Sequence, residues 1–308
     1  MSGQGVRKLG ALFTELESIS ELLEKSEVDS AEPVIFSGEP LSLIEQLRLH
    51  SQESESKPVI RTLHHFACTG GTLISKCFSA LPNVFLLSEV HPHSELEPPP
   101  GRPKFAPSDL IRMARYASIP NIRELSEKIF ESSLNVVFKH VEERGGVLVL
   151  REHVHSDFCV GSEIPSKSTL ISILQKQFRV VSVATIRNPI DSFLSIQNHG
   201  WVHFEPSTFD EYCRRYLEFL KGFSQDNIFR YEDFVQDPKN VLGVICDYLK
   251  LNFDENFVQT FDQFRVTGDS GRQGGKIEAR QRRKGFESEL VEMKRSVNYQ
   301  IFCDLYNY

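Results

Sequence analysis

The sequence predicts an α/β fold of three layers, with helices on both faces of a central parallel sheet. Three observations carry that reading. Between residues 61 and 90 the apolar run RTLHHFAC leads into a helix-patterned GGTLISKCFSAL and then a second apolar run, NVFLLSEV. That is the strand, crossover helix and strand that parallel pairing requires. Two further strand-like runs, GVLVLREH and FRVVSVATI, are again separated by helical patterns. At 308 residues and 40% hydrophobic, the chain is also long enough to bury one large core.

Residues 7–25 carry Leu9, Leu12, Phe13, Leu16, Ile19 and Leu22 at spacings of three and four, which predicts an amphipathic helix. A polar, proline-interrupted connector follows over 26–40 and a second short helix over 41–49. The division expected is a helical N-terminal extension over 1–55 and an α/β domain over 56–308.

Within that domain, ELEPPPGRPKFAP (95–107) holds too many prolines for either regular element and reads as a surface loop. Helical spacing returns at Leu125, Ile129, Ser133, Val137 and Val141, and Gly145-Gly146 supplies the stop. FRVVSVATI (178–186) ends at Arg187-Asn188-Pro189, and Pro189 suits the first position of the helix IDSFLSI. An amphipathic block covers 208–223, NIFRYEDF reads as a strand, and 237–251 reads as a helix with Val241, Ile245 and Leu249 on one face. The stretch 268–286 is glycine-rich and basic, and no internal repeat is visible.

The balance of 35 basic against 42 acidic side chains, a formal charge of -7, argues against nucleic acid as a partner and makes any anion site a local one. Six cysteines lie far apart with no CxxC pair, which suggests neither a zinc site nor a disulfide framework and fits a reducing compartment. The first residues make a poor signal peptide, and no run approaches the ~18 apolar residues of a membrane span. A cytoplasmic protein with no membrane partner is the expectation.

Ligands of open parallel sheets bind beyond the carboxyl ends of the strands. At one such end, Thr69, Gly70, Gly71, Thr72 and Leu73 would turn backbone N–H groups toward an anion at a helix start, and Lys76 lies farther along the same helix. At another, Arg187 precedes Ser192 and Ser195, which fall three apart on one helix. An arginine fork with serine hydroxyls makes a phosphate cradle. At a third, Arg151, His153 and His155 alternate, so that a histidine is placed to act as general base. Read alone, the glycine bend serves equally as a tight connection, whereas pairing of Arg187 with Asp191, with the serines as helix surface, and a structural role for the histidines are the commoner outcomes of such patterns. Metal binding is disfavoured, because no Cys, Asp or Glu motif with ligand spacing accompanies them.

Four ordered segments, FACTGGTLISK, LVLREH, IRNPIDSFLS and FRYEDFVQDP, resemble the sulfotransferases that use 3′-phosphoadenosine 5′-phosphosulfate, in particular a bacterial-type branch. The resemblance covers roughly residues 60 to 290 and implies the P-loop-like sulfotransferase fold. It implies that Gly70, Gly71 and Thr72 hold the 5′-phosphosulfate and that Arg187 and Ser195, eight residues on, hold the 3′-phosphate. It further implies His153 as general base with His155 the alternative, Lys76 as a charge near the leaving phosphate, and no metal. Arg283, Lys284 and Gly285 match loosely a basic closing motif of the family, and Arg272 is a second candidate phosphate contact. The familiar lysine before the loop is replaced by Cys68, and Phe286 stands where a Gly-Asp-Trp would begin. The acceptor would be a small molecule bearing a hydroxyl or amine, met by loops that carry Phe105, Trp201 and Phe204, with Glu89, His91 and His93 at its edge unless Glu89 is simply solvated. The alternatives are a P-loop kinase-like phosphotransferase, whose GxxxxGK[ST] the run CTGGTLISK does not supply, and a non-catalytic nucleotide-binding module.

Overall fold

A computed structural model of the chain describes residues 57–94, 109–267, 276–279 and 287–308. The extension expected over 1–55, the proline-rich loop with Phe105, and Arg272, Arg283, Lys284 and Gly285 lie outside the described residues.

Among the described residues seven strands are formed: β1 (Val59–His65), β2 (Val84–Val90), β3 (Val147–Glu152), β4 (Val160–Gly161), β5 (Arg179–Ile186), β6 (His203–Phe204) and β7 (Ile228–Arg230). Five make one sheet in the order β2-β3-β1-β5-β7, every pair parallel, and β4 and β6 form a separate parallel ribbon. The helices in chain order are α1 (Gly71–Ser79), α2 (Leu110–Tyr116), α3 (Ile122–Glu142), α4 (His155–Phe158), α5 (Thr169–Leu174), α6 (Pro189–His199), α7 (Phe209–Leu220), α8 (Tyr231–Gln236), α9 (Pro238–Leu249), α10 (Phe257–Thr260), α11 (Glu287–Met293) and α12 (Val297–Tyr306).

Opposite faces of the sheet bury alternate residues. Leu63, Val149 and Val183 pack with Leu73, Phe78, Ile245 and Leu249 of α1 and α9. Ile60, Leu148 and Leu150 pack the other way, against Leu134 and Phe138 of α3 and Leu170 and Leu174 of α5. Each such side chain contributes about 1.5–3 kcal/mol relative to exposure. The three layers expected are therefore present. A third cluster, at the carboxyl end of β5, gathers Phe66, Ile186, Phe193, Tyr212, Tyr216 and Phe302 beneath α6, α7 and α12.

The chain leaves β1 toward β2 on one side and leaves β5 toward β7 on the other. The carboxyl ends of β1 and β5 thus form the switch point where open α/β sheets place their ligands. No helix among the described residues is long and apolar enough to cross a membrane.

Two expectations are corrected. NIFRYEDF is strand only to Arg230 and turns helical at Tyr231. Tyr231, Phe234 and Val235 are buried at helical spacing, and Glu232 and Asp233 occupy the first turn, where the helix dipole favours acids. Arg151, His153 and His155 do not run along one extended chain either, because β3 stops at Glu152 and His155 opens α4.

Candidate active site

The bend between β1 and α1 needs glycine twice, for two different reasons. Gly70 caps α1 with φ 91°, a left-handed conformation, and a Cβ there would lie 2.3 Å from Cδ2 of Tyr231. Gly71 is helical, but a Cβ on it would lie 2.5 Å from Cδ2 of His65 and 3.0 Å from Nη2 of Arg151. The main chain is thus pressed between an aromatic ring on one side and an imidazole and a guanidinium on the other. The helical ladder begins with Leu73 and Ile74, whose N–H groups both donate to the Gly70 carbonyl, so the Gly70 and Gly71 amides precede it. Thr69 and Leu73 stand apart from the cradle expected of them. The hydroxyl and N–H of Thr69 are turned back onto the Phe66 carbonyl, and the Leu73 side chain is in the core.

Arg187 follows β5 and reaches across to this bend. Its Nη1 donates to the Cys68 carbonyl at 3.4 Å, and its Cζ lies 5.2 Å from the centroid of the Tyr231 ring that backs Gly70. The strand end that carries it is pinned from two helices, one of them braced in turn by Tyr308. Tyr216 Oη of α7 accepts the Arg187 N–H at 3.0 Å, Glu232 Oε1 of α8 accepts the Asn188 N–H at 3.0 Å, and the Tyr308 hydroxyl donates to Glu232 Oε2 at 2.6 Å. Asn188 Oδ1 accepts from the Ile190 N–H and so caps α6, with Pro189 in the first turn. Ser192 and Ser195, expected to share a face, differ: Ser192 is buried and donates back to Asn188 and Pro189 carbonyls, while Ser195 is half-buried. Lys76 sits in the last turn of α1, about 7.5 Å along the axis from Gly71 at 1.5 Å per residue.

The end of β3 carries a second group of side chains. A bulge in β2 between Leu87 and Val90 turns Glu89 inward with φ 61°. Its carboxylate lies 2.5 Å from Nη2 of Arg151 and 3.3 Å from Nε2 of His153. Glu89 is therefore paired and largely buried rather than solvated. Burial raises its pKa, against the opposing pull of Arg151. Arg151 also donates to Ser88 Oγ at 2.9 Å and to the Thr267 carbonyl at 3.4 Å.

The other ring nitrogen of His153, Nδ1, lies 3.0 Å from Ser156 Oγ and 3.3 Å from Ser94 Oγ. Burial, with His91 and Arg151 nearby, pushes the His153 pKa down to about 4, so that the ring is neutral at pH 7. An ionised Glu89 beside Nε2 favours the tautomer protonated there, which leaves the lone pair on Nδ1. His155 is more deeply buried, its Nε2 lies 3.0 Å from His203 Nδ1, and burial with the neighbouring His153 and His203 pushes its pKa down to about 3. His91 and His93 are each held by an acid, Asp157 and Glu127, both at 2.9 Å. Phe204, expected to line an acceptor loop, is instead fully buried beneath Arg215, whereas Trp201 is partly exposed and stacks on His199.

No protein-family model and no curated protein matches the chain. Solved structures do. The sulfotransferase domain from the curacin biosynthetic pathway superimposes with a TM-score of 0.52 at 15% identity, over 82% of this chain and 98% of that one. The sulfotransferase domain of the Synechococcus PCC 7002 olefin synthase gives 0.50 at 16% identity, over 82% and 96%. The chain has the sulfotransferase fold.

On that sulfotransferase fold, the glycine bend and Arg187 come together at one switch point, and His153 closes the neighbouring strand end. Two side chains of this site, His65 and Tyr231, escaped the candidate set drawn from sequence, whereas Arg151 and Glu89 were named there without these contacts. Arg151 and Tyr231 stand in quoted motifs and were legible there as neighbours of candidates. Nothing local marks His65 or the inward turn of Glu89.

Proposed function

We propose that this protein transfers a sulfuryl group from 3′-phosphoadenosine 5′-phosphosulfate to a hydroxyl or amine of a small acceptor. The observation that supports this best is the meeting of the two strand ends. A glycine bend whose Gly70 and Gly71 amides precede the helical ladder and an arginine from the adjacent strand lie within contact of each other, 3.4 Å between Arg187 Nη1 and Cys68 O. A nucleotide anionic at both ends suits two such sites, one built of helix-start amides and the other of a guanidinium. The donor supplies the activated sulfuryl group, and the protein's part is positioning and charge stabilisation.

In this reading the Gly70-Gly71-Thr72 bend binds the 5′ end and Arg187 with Ser195 the 3′-phosphate. Arg151, in contact with Gly71, adds positive charge at the bend, and Lys76 adds more from farther along α1. His153 takes the acceptor's proton on Nδ1, which requires the acceptor to displace the Ser94 or Ser156 hydroxyl, and Glu89 holds the opposite nitrogen. Such general-base help is worth about 10²–10⁴-fold. Residues 1–55 are assigned no part in the reaction, Arg272, Arg283, Lys284 and Gly285 are assigned to the donor on the resemblance alone, and the reaction is placed in the cytoplasm without a metal.

The test is transfer of labelled sulfate from the donor across a varied acceptor set, alongside titration with 3′-phosphoadenosine 5′-phosphate. Binding with transfer is expected. Binding without transfer would make the protein a nucleotide-binding module, and magnesium-dependent phosphate transfer from ATP would make it a kinase.

A further inference from the structure

His65 ends β1 directly beneath the bend and is 5% exposed. Its Nδ1 is hydrogen-bonded to the hydroxyl of Thr185, its register partner on β5. The opposite edge of the ring is turned away from β5, and Cδ2, the atom bonded to Nε2, is the one that abuts Gly71. Nε2 itself is buried and finds no hydrogen-bond partner among the described residues. An unmade hydrogen bond at a buried polar atom is costly, and native structures rarely leave one without a use.

We propose that His65 is a direct ligand of the anion held at the start of α1, donating a hydrogen bond from Nε2–H. The inference rests on the donor reading above and deepens it, because it adds a side-chain donor to a bend otherwise made of main-chain amides. Two features of the site suit the role. The Thr185 hydroxyl can donate to Nδ1, which puts the ring's only proton on Nε2, the atom nearer the bend. Burial, with Arg151 and His64 close by, holds the His65 pKa well below the ordinary histidine value, so the ring stays neutral. A neutral donor whose proton is fixed by its second partner recognises an anion without adding a second buried charge beside Arg151. The Gly71 hydrogen is what allows ring and anion to approach the same stretch of main chain.

The experiment measures binding of 3′-phosphoadenosine 5′-phosphate, adenosine 3′-monophosphate and inorganic pyrophosphate to the wild-type protein and to His65→Leu and His65→Gln. The leucine variant should bind the bisphosphate and pyrophosphate about tenfold or more weakly, the scale of one hydrogen bond to a charged group, and the 3′-monophosphate unchanged. The glutamine variant, which keeps an N–H in reach, should recover most of the loss. For a readout that needs no folded variant, wild-type protein labelled with nitrogen-15 at histidine should show the His65 Nε2–H resonance shifting on addition of either 5′-side anion. An unshifted resonance at saturation, or full affinity in the leucine variant, overturns the proposal, as does failure of the wild type to bind either anion. If pyrophosphate binds and moves His65 while the bisphosphate does not bind, the role of His65 stands and the sulfuryl-donor reading falls.

Discussion

Arg187 and Tyr231, 44 residues apart and on different elements, share one contact on which the bend depends: the guanidinium carbon lies 5.2 Å from the ring centroid, and the same ring fills the space beside Gly70. The pairing links the two strand ends at the switch point. It also explains why a tyrosine opens α8 here, since a smaller side chain would leave both the arginine and the bend without support.

Gly70→Ala should therefore damage the site twice. The new Cβ meets Tyr231 at 2.3 Å and the backbone is held at φ 91°, so a loss of about 1–3 kcal/mol in stability is expected. Affinity for 3′-phosphoadenosine 5′-phosphate should fall as the ring and Arg187 shift. Chemical denaturation and ligand titration of the same variant measure the two effects.

Arg187→Ala should weaken binding of the bisphosphate by tenfold or more, on the scale of a lost charge-assisted hydrogen bond. Arg187→Lys should recover little, because an ammonium reproduces neither the fork nor the stacking on Tyr231. Calorimetric titration of both variants decides it, and unchanged affinity in the alanine variant would remove the 3′-phosphate from this arginine.

His153→Ala should lower turnover by about 10²–10⁴-fold and leave donor affinity within a few-fold of wild type. The pH profile of the wild type should lose its acid limb only as pH falls toward about 4, where His153 protonates. A break near pH 6.5 would instead point to an unperturbed histidine as the base.

Arg151→Met should destabilise strongly, by about 3–5 kcal/mol, because it leaves the Glu89 carboxylate buried without its 2.5 Å partner. Adding Glu89→Gln to that variant should restore part of the loss. Thermal melts of the single and double variants give the coupling directly.

Acid should begin to destabilise the fold as pH falls below about 6.5. His155 has a folded pKa near 3 against an ordinary 6.5, so the unfolded chain binds its proton first and stability is lost as pH falls below 6.5 toward 3. Between pH 7.5 and pH 5 the loss from this residue is on the order of 2 kcal/mol. Melts of wild type and His155→Phe across that range should differ in slope, the variant being the flatter.

Much of this molecule follows from its sequence alone, and the reason is that the signals concerned are local. Strand runs, helical spacing, Pro189 at a helix start and the glycines of the bend act over a few residues, and the three-layer fold appears as they predict. Local pattern failed where two elements share an apolar run: NIFRYEDF carries strand-forming and helix-forming halves without a breaker between them, and only burial of Tyr231, Phe234 and Val235 decides where it turns. The short helix α5 and the terminal α12 also went unread, the first because six residues give less than two turns of periodicity.

The membership of the site was decided by tertiary structure. His65 faces Gly71, and Tyr231 backs Gly70, because a parallel register and a crossover set them there, and no spacing along the chain encodes either contact. Glu89 reaches Arg151 and His153 only through a bulge and a left-handed backbone at a non-glycine residue. Sequence patterns record what a residue does to its neighbours along the chain, whereas these side chains are fixed by what lies across the sheet.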